Sequence, residues 1–279
     1  MHPVPLRSAL YLPATNARAI AKARTLPCDV VILDLEDSVA PEAKAGAREQ
    51  AIAAVAEGGF GRRRVVVRAN ALASEWGADD LVALAQAGAD AVLLPKVSTV
   101  QEAHATAARL EGVPLWAMIE TPRGVLDVAA IAGSGVVDAL VLGINDLAKD
   151  MRARQTAART PFLGFLATAV AAARANGLAV FDGVFNDLDD EAGLRAQCAQ
   201  GAEFGFDGKT LIHPRQIVPC NEAFSPSAAE ITDARAIEAA FARPEHAGHG
   251  VIRLDGRMVE RLHLDQALRT LAIASAIEA

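Results

Sequence analysis

This chain of 279 residues contains few aromatic residues and carries no excess of positive charge. Aromatic residues make up 4% of it, which argues against a stacking surface for single-stranded nucleic acid. Acidic residues outnumber basic ones by 34 to 27, so the formal net charge is −7 and no basic field attracts nucleic acid. The sequence therefore predicts a protein without a nucleic-acid partner.

Cysteines and long apolar runs are also missing. The three cysteines, at positions 28, 198 and 220, match neither a metal-binding spacing nor a disulfide framework, which favours a reducing compartment. No apolar run approaches the roughly 20 residues needed to span a bilayer. The first residues lack the apolar stretch of a secretion signal. We therefore expect a cytoplasmic protein with no membrane partner.

What the chain does contain is a repeated alternation of short apolar runs and alanine-rich helical patterns. Continuous apolar strands that alternate with helices indicate a parallel sheet buried on both faces. Eight such units favour an α/β fold of the closed TIM (β/α)8 barrel type. No G-x-G-x-x-G follows any run, which argues against dinucleotide binding. The eight runs span residues 8–12, 29–35, 64–68, 91–94, 115–119, 139–142, 178–181 and 206–211.

The pattern changes after about residue 221. A helix is predicted over 226–241, followed by a glycine-rich loop, a short apolar run over 251–254 and a closing helix over 264–277. We therefore predict a catalytic barrel domain over residues 1–220 and a C-terminal helical extension over 221–279. The extension can pack on its own barrel or, as we expect, on a neighbouring subunit.

Two apolar runs each lead directly to one carboxylate, Glu120 in LWAMIETPRG and Asp146 in ALVLGINDL. In a barrel, the C-terminal ends of the strands form the active-site face. Two carboxylates without His or Cys favour Mg²⁺, with Mn²⁺ as the alternative. Taken singly, Glu120 could be a helix-start acid and Asp146 a loop acid. As a pair in this architecture, they predict a metal site.

Further polar residues follow the other predicted strands, and both signs of charge are present. Unpaired charges are costly to bury, so such a ring is either a salt-bridged plug or a site, and we expect a site. Lys96 could form a Schiff base, but a metal and an arginine already supply an electron sink. The remaining residues of this ring are Asp34, Glu36, Asp37, Arg68, Asn70, Asn145, Asp182 and Lys209.

Arg68 is the main candidate cation of this site. Its planar fork suits a carboxylate or a developing oxyanion, and its alternative role is to neutralise Glu36 or Asp37. Those two carboxylates are themselves catalytic candidates. A metal and a guanidinium can together stabilise an enolate while a carbon–carbon bond breaks or forms. No G-x-S-x-G motif and no Cys–His pair supports a hydrolytic triad.

Many sequence blocks, in one order along nearly the whole chain, resemble the citrate lyase β-subunit-like family of the HpcH/HpaI aldolase superfamily, which includes malyl-CoA and citramalyl-CoA lyases. The resemblance implies a (β/α)8 barrel, Mg²⁺ and a homo-oligomer, commonly a trimer or hexamer. The blocks include RSALYLPA, VVILDLEDSVAPEAKAGAR, VVVRANAL, AVLLPKV, MIETPRGV, LGINDLAKD, GFDGKTLIHPRQI and LDGRMVERLHLDQALRTL.

By this resemblance, Glu120 and Asp146 are the Mg²⁺ ligands, and Arg68 binds the substrate and its enolate. The segment with Tyr11, Arg18 and Lys22 is similar to the one that touches the CoA thioester arm and its phosphates. These assignments place a small 2-oxo acid and an acyl-CoA in the same site.

The tail block of the family carries an acid, usually in the pattern M-[IV]-D, that reaches a neighbouring subunit's site as an acid/base. Here the block reads Met258-Val259-Glu260, so a glutamate replaces the usual aspartate. Related pyruvate aldolases carry a His after the second strand's acid, where this chain has Glu36-Asp37, and this difference favours a CoA thioester.

The resemblance implies a Mg²⁺-dependent carbon–carbon lyase acting on a malyl-, citramalyl- or citryl-CoA type of thioester. It would release an acetyl thioester and a 2-oxo acid. Two alternatives remain open: a citrate lyase β subunit that works only in a complex with an acyl-carrier thioester, and a metal-dependent aldolase on free 2-oxo acids.

Overall fold

The computed structural model describes residues 5–278, and its main feature is a closed barrel of eight parallel strands. Each strand pairs with the next, and the eighth pairs with the first. The predicted TIM barrel is therefore confirmed. The strands are β1 (Ser8–Pro13), β2 (Val30–Asp34), β3 (Arg64–Arg68), β4 (Ala91–Leu94), β5 (Leu115–Ile119), β6 (Ala139–Leu142), β7 (Ala179–Asp182) and β8 (Gly208–Leu211).

Helices connect consecutive strands around the barrel. Pro41–Ala43 forms a 3-10 turn, and the second helix begins directly after it at Lys44. Among residues 5–278, no helix has both the length and the hydropathy needed to span a membrane. The helices are α1 (Ala17–Ala23), α2 (Lys44–Glu57), α3 (Gly77–Leu84), α4 (Val100–Leu110), α5 (Pro122–Ala132), α6 (Ile144–Asp150), α7 (Leu163–Ala175), α8 (Glu191–Phe204) and α9 (Ile217–Ala223).

Side chains alternate between the inside and the outside of the barrel, as they must along a strand. One apolar cluster fills the interior and a larger one lies between the strands and the surrounding helices. Trp116 of β5 and Phe181 of β7 stack inside the barrel, with their ring centroids 4.9 Å apart. The barrel is therefore a packed core and not a pore.

The chain divides into two compact units, one over Leu6–Phe224 and a smaller one from Ser225 onward. The smaller unit contains α10 (Ala228–Phe241), the antiparallel strands β9 (Val251–Leu254) and β10 (Arg257–Glu260), and α11 (Arg261–Glu278). Asp255 and Gly256 both have positive φ, which suits the tight turn between the two strands. The apolar run over 251–254 was predicted and is β9, whereas β10, the strand that carries Glu260, was not predicted.

Candidate active site at the barrel mouth

A cavity of about 300 Å³ lies at the C-terminal end of the barrel strands. One part of its wall is polar and charged, and another part is apolar. The polar residues are Tyr11, Asp34, Asp37, Ser38, Arg68, Glu120, Asn145 and Asp146, and the others are Met118, Leu142, Gly143, Ile144, Val184 and Ile212.

Arg68 is held chiefly by Asp34, the residue beside it in the parallel pairing of β2 and β3. Its Nε and Nη2 donate to the two carboxylate oxygens of Asp34 at 2.6 and 2.8 Å. Nη1 donates to Asp37 at 3.2 Å, and it lies 2.9 Å from Glu36 as an ion pair without hydrogen-bond geometry. The guanidinium also packs over the Tyr11 ring, 4.9 Å from its centroid.

The Asp34 carboxylate is a firm anchor for this arginine. Burial alone would raise its pKa, but hydrogen bonds from Arg68, the charge of Arg68 and hydrogen bonds from Ser38 and the Glu36 backbone lower it below the usual range. Glu36 and Asp37 were the predicted partners of Arg68, and the stronger pairing with Asp34 was not predicted. Strand alternation points to Asp34, because it lies two and four residues after Ile32 and Val30, whose side chains point into the barrel.

Glu120 follows β5 and points into the cavity. Its Oε1 accepts a hydrogen bond from the backbone N–H of Lys96 at 2.9 Å. The carboxylate fits because position 143 is glycine: a Cβ there would lie 2.3 Å from Glu120 Oε2. Burial raises the pKa of Glu120 to about 8. The negative charges of Glu36 and Asp146 add to this rise, and the positive charge of Arg68 opposes it.

Asp146 lies in the first turn of α6 and lines the same cavity as Glu120. Its Oδ2 is 3.6 Å from Lys96 Nζ, and the same ammonium forms a very short ion pair with Glu36. The structure therefore brings Arg68, Glu120 and Asp146 together at one end of the barrel. Lys96 joins them in a role that the sequence analysis did not predict.

The charges of this region can accommodate a divalent cation. Five carboxylates (Asp34, Glu36, Asp37, Glu120 and Asp146) meet two cations (Arg68 and Lys96), so with every carboxylate ionised a doubly charged ion would leave one excess negative charge. Within residues 5–278, no group of three or more His, Cys, Asp or Glu side chains is arranged to bind a metal. A pair of carboxylates still suits Mg²⁺, which keeps several waters and takes further oxygens from its substrate.

Glu36 lies behind the cavity wall and not on it. It is buried between Arg68 and Lys96, and burial raises its pKa although both cations oppose the shift. The loop around it is fixed by Lys44 Nζ, which donates to the backbone carbonyls of Leu35 and Glu36 at 2.8 and 2.6 Å. Glu36 is therefore placed to hold Arg68 and Lys96, while Asp37 borders the cavity itself.

Asp182 and Lys209 do not line the cavity, although both belong to the ring predicted at the strand ends. Both side chains lie on the outer side of the barrel, where the apolar residues of the strands face the helices. There Lys209 Nζ donates to Asp182 Oδ2 at 2.9 Å, and both groups are buried. Arg159 Nη1 donates to both carboxylate oxygens of Asp182 at 2.6 and 2.8 Å. This part of the ring is a salt-bridged cluster between the barrel and its helices.

Three other predicted site residues lie away from the cavity wall or in the smaller unit. Arg18 and Lys22 are exposed on α1, and neither lines the cavity. Glu260 ends β10 in the smaller unit, where its backbone N–H donates to His263 Nδ1 at 2.9 Å. Their roles toward CoA and as an acid/base stay predictions.

Comparison with known proteins finds relatives that match nearly the whole chain. The chain is 47% identical over 275 residues to a (3S)-malyl-CoA thioesterase of Cereibacter sphaeroides, covering 99% of this chain and 96% of the relative. It is 34% identical over 280 residues to the citrate lyase β subunit of Escherichia coli, covering 96% and 93%.

A solved structure gives the same result. Mycobacterium tuberculosis CitE in complex with magnesium, acetoacetate and coenzyme A matches with a TM-score of 0.79 and 31% identity, covering 96% of this chain and 97% of that one. The family model for HpcH/HpaI aldolase/citrate lyase matches residues 7–214. The chain belongs to the HpcH/HpaI aldolase/citrate lyase family.

Proposed function

We propose that this chain acts on the CoA thioester of a malyl-type 3-hydroxy dicarboxylic acid and that the net reaction is hydrolysis of the thioester. The observation that carries the proposal is the guanidinium of Arg68, which is fixed by Asp34 at the wall of a cavity that also contains Glu120 and Asp146. Such a group stabilises negative charge that develops on a carbonyl oxygen. The 47% identity to a malyl-CoA thioesterase supports hydrolysis.

Glu120 and Asp146 would hold the Mg²⁺, with Mn²⁺ as the alternative. The magnesium and coenzyme A bound by the M. tuberculosis relative support this assignment. When bound, the ion supplies positive charge that orients the substrate's oxygens and stabilises the developing oxyanion. The protein's own contribution is to hold the Glu120 carboxylate in place, through the Lys96 backbone N–H and the space left by Gly143.

In the hydrolytic reaction, water adds to the thioester carbonyl, the carbon–sulfur bond breaks, and the thiolate takes up a proton. Arg68 faces the carbonyl oxygen, while Asp34, Glu36 and Asp37 hold its fork. We assign the proton transfer to Glu260 of a neighbouring copy of the chain, following the tail block of the family. The products are the free hydroxy acid and CoA.

Carbon–carbon cleavage is the second candidate, and the 34% identity to citrate lyase β subunits favours it. Here the 3-hydroxyl gives its proton to Glu260 of the neighbour, the bond between C2 and C3 breaks, and the electron pair moves onto the thioester as an enolate. Arg68 stabilises that enolate, and Glu260 returns the proton to its carbon. The products are an acetyl thioester and a 2-oxo acid.

One experiment separates the two reactions on a shared substrate. The protein is incubated with (3S)-malyl-CoA and Mg²⁺, and the products are resolved by chromatography. Hydrolysis yields malate and free CoA, whereas cleavage yields acetyl-CoA and glyoxylate. Arg68→Lys keeps the charge but loses the fork, so its turnover is expected to fall by about 100-fold or more.

Removal of the metal with a chelator is expected to stop turnover, and added Mg²⁺ to restore it. Failure of malyl-, citramalyl- and citryl-CoA to give any metal-dependent product would contradict the proposal. Formation of acetyl-CoA with no free CoA would replace hydrolysis by the second candidate.

A further inference from the structure

Lys96 contacts three carboxylates of the site, and its backbone is in an unusual conformation. It follows β4 with a φ of 59°, a left-handed conformation that is costly for a residue other than glycine. In this conformation, the backbone N–H of Lys96 donates to Glu120 Oε1 at 2.9 Å. The side chain of the same residue forms the short ion pair with Glu36 and lies 3.6 Å from Asp146.

The two ends of this residue are held differently. The backbone end is fixed by the contact with Glu120. The side chain is 39% exposed, and its contact with Asp146 is the looser of its two ion pairs, since 3.6 Å is beyond hydrogen-bond distance. The partner on the other side, Glu36, is 8% exposed and held among buried groups. Of the two ion pairs, the one with Asp146 is therefore the one that can open.

We propose that the Lys96 ammonium is the protein's own counter-ion for Asp146 and gives up this carboxylate when a divalent cation binds to Glu120 and Asp146. This inference rests on the metal site of the proposed function. Lys96 is then a positioning residue: it holds Asp146 and Glu36 near each other in the free protein and stays on Glu36 in the loaded one. Because lysine and metal share one carboxylate, each weakens the other's hold on it.

The arrangement allows a clean test, because the contact to Glu120 comes from the backbone and survives any side-chain replacement. Lys96→Met removes the ammonium and retains most of the length. Lys149→Met is the matched control, since Lys149 is exposed on α6 one turn after Asp146 and has no contact with the three carboxylates. Mg²⁺ binding is measured by titration calorimetry on metal-stripped protein, without substrate.

Lys96→Met is expected to bind Mg²⁺ at least about tenfold more tightly than the wild type, and Lys149→Met to differ from it by less than about threefold. Without metal, Lys96→Met is expected to unfold at a lower temperature than the wild type, because Glu36 and Asp146 lose their shared cation. Saturating Mg²⁺ should raise the unfolding temperature of this variant more than that of the wild type.

Equal or weaker Mg²⁺ binding by Lys96→Met would overturn the role of Lys96 and leave the metal site intact. Absence of Mg²⁺ binding by every protein would overturn the metal site and this inference together. If Lys96→Met does not fold, Lys96→Gln takes its place. Lys96→Arg retains the charge and should bind Mg²⁺ about as the wild type does. This variant separates the effect of the positive charge from that of the side-chain shape.

Discussion

At the scale of single residues, β2 offers a natural comparison, because an aspartate near each of its ends forms a forked ion pair with an arginine. At the C-terminal end, Asp34 holds Arg68. Just before the N-terminal end, Asp29 accepts from Nε and Nη2 of Arg7, both at 2.8 Å. In a barrel of this type, the first end serves activity and the second serves stability.

Asp34→Asn is therefore expected to lower kcat/KM by about 100-fold or more, because the fork of Arg68 loses its charged anchor and its fixed position. Asp29→Asn breaks the matched pair at the other end and is expected to leave kcat/KM unchanged. Both variants should unfold at lower urea concentrations than the wild type. Steady-state kinetics and urea unfolding on the three proteins check this. A similar loss of kcat/KM in both variants would mean that Asp34 acts only through stability.

The strand ends made part of this site predictable from the sequence. Arg68, Glu120 and Asp146 each follow or end an apolar run, so their convergence at one face follows from the barrel alone. Strand alternation places Asp34 on the inward side, but its pairing with Arg68 depends on the register between β2 and β3, which no local pattern of residues encodes. The positive φ of Lys96 is likewise not readable from residue types, because lysine does not favour it.

At the scale of elements, the phase of a strand decides whether a polar residue at its end belongs to the cavity or to the outer layer. Asp182 ends β7 directly after Phe181, whose side chain points into the barrel. Because side chains alternate along a strand, Asp182 points outward and contacts Lys209 and Arg159. The position of Asp182 at the end of its strand was predicted correctly, whereas the side of the barrel on which its side chain lies was not. Burial raises the pKa of Asp182, but the charges of Lys209 and Arg159 outweigh it and lower the pKa below 3.8.

Because this pKa is depressed in the folded protein, the stabilisation by Asp182 is fully present above pH 3.8 and is lost as the pH falls through the folded value. Asp182→Asn should lower the free energy of unfolding at neutral pH by about 3 kcal/mol, since it leaves two buried cations without their carboxylate. It should also flatten the decline of stability in acid.

Urea unfolding between about pH 7 and about pH 3 measures both effects. Asp189→Asn is the control, because the ion pair of Asp189 with Arg215 is exposed and contributes little. Parallel acid profiles for the wild type and Asp182→Asn would contradict the assignment.

At the scale of the whole molecule, the smaller unit presents a largely unburied helix. Ala267 is the buried residue of the 18-residue α11, and the exposed large side chains include Leu262 and Leu268. These exposed apolar side chains are suited to pack on another copy of the chain. The homotrimer or hexamer predicted from the sequence, with a tail that brings Glu260 to a neighbour's barrel, stays a prediction.

If Glu260 acts in a neighbouring barrel, two inactive variants should restore each other's activity. Glu260→Gln and Arg68→Met are each expected to be inactive alone. Random mixed oligomers should recover about a quarter of the wild-type activity per site, because a working site needs the barrel of one variant and the tail of the other. The two chains are co-refolded in equal amounts, and turnover of malyl-CoA is measured.

Absence of recovery in oligomers shown to be mixed would place Glu260 in its own chain's site or outside catalysis. Each variant refolded alone is the control for this measurement.

The stacked rings of Trp116 and Phe181 close the barrel beneath the cavity. Side chains therefore fill the barrel interior below the cavity, and a bound molecule has to enter and leave at the C-terminal end of the strands. Under the proposed function, the group that binds deepest is then expected to bind first and to leave last. Product-inhibition kinetics measure this order.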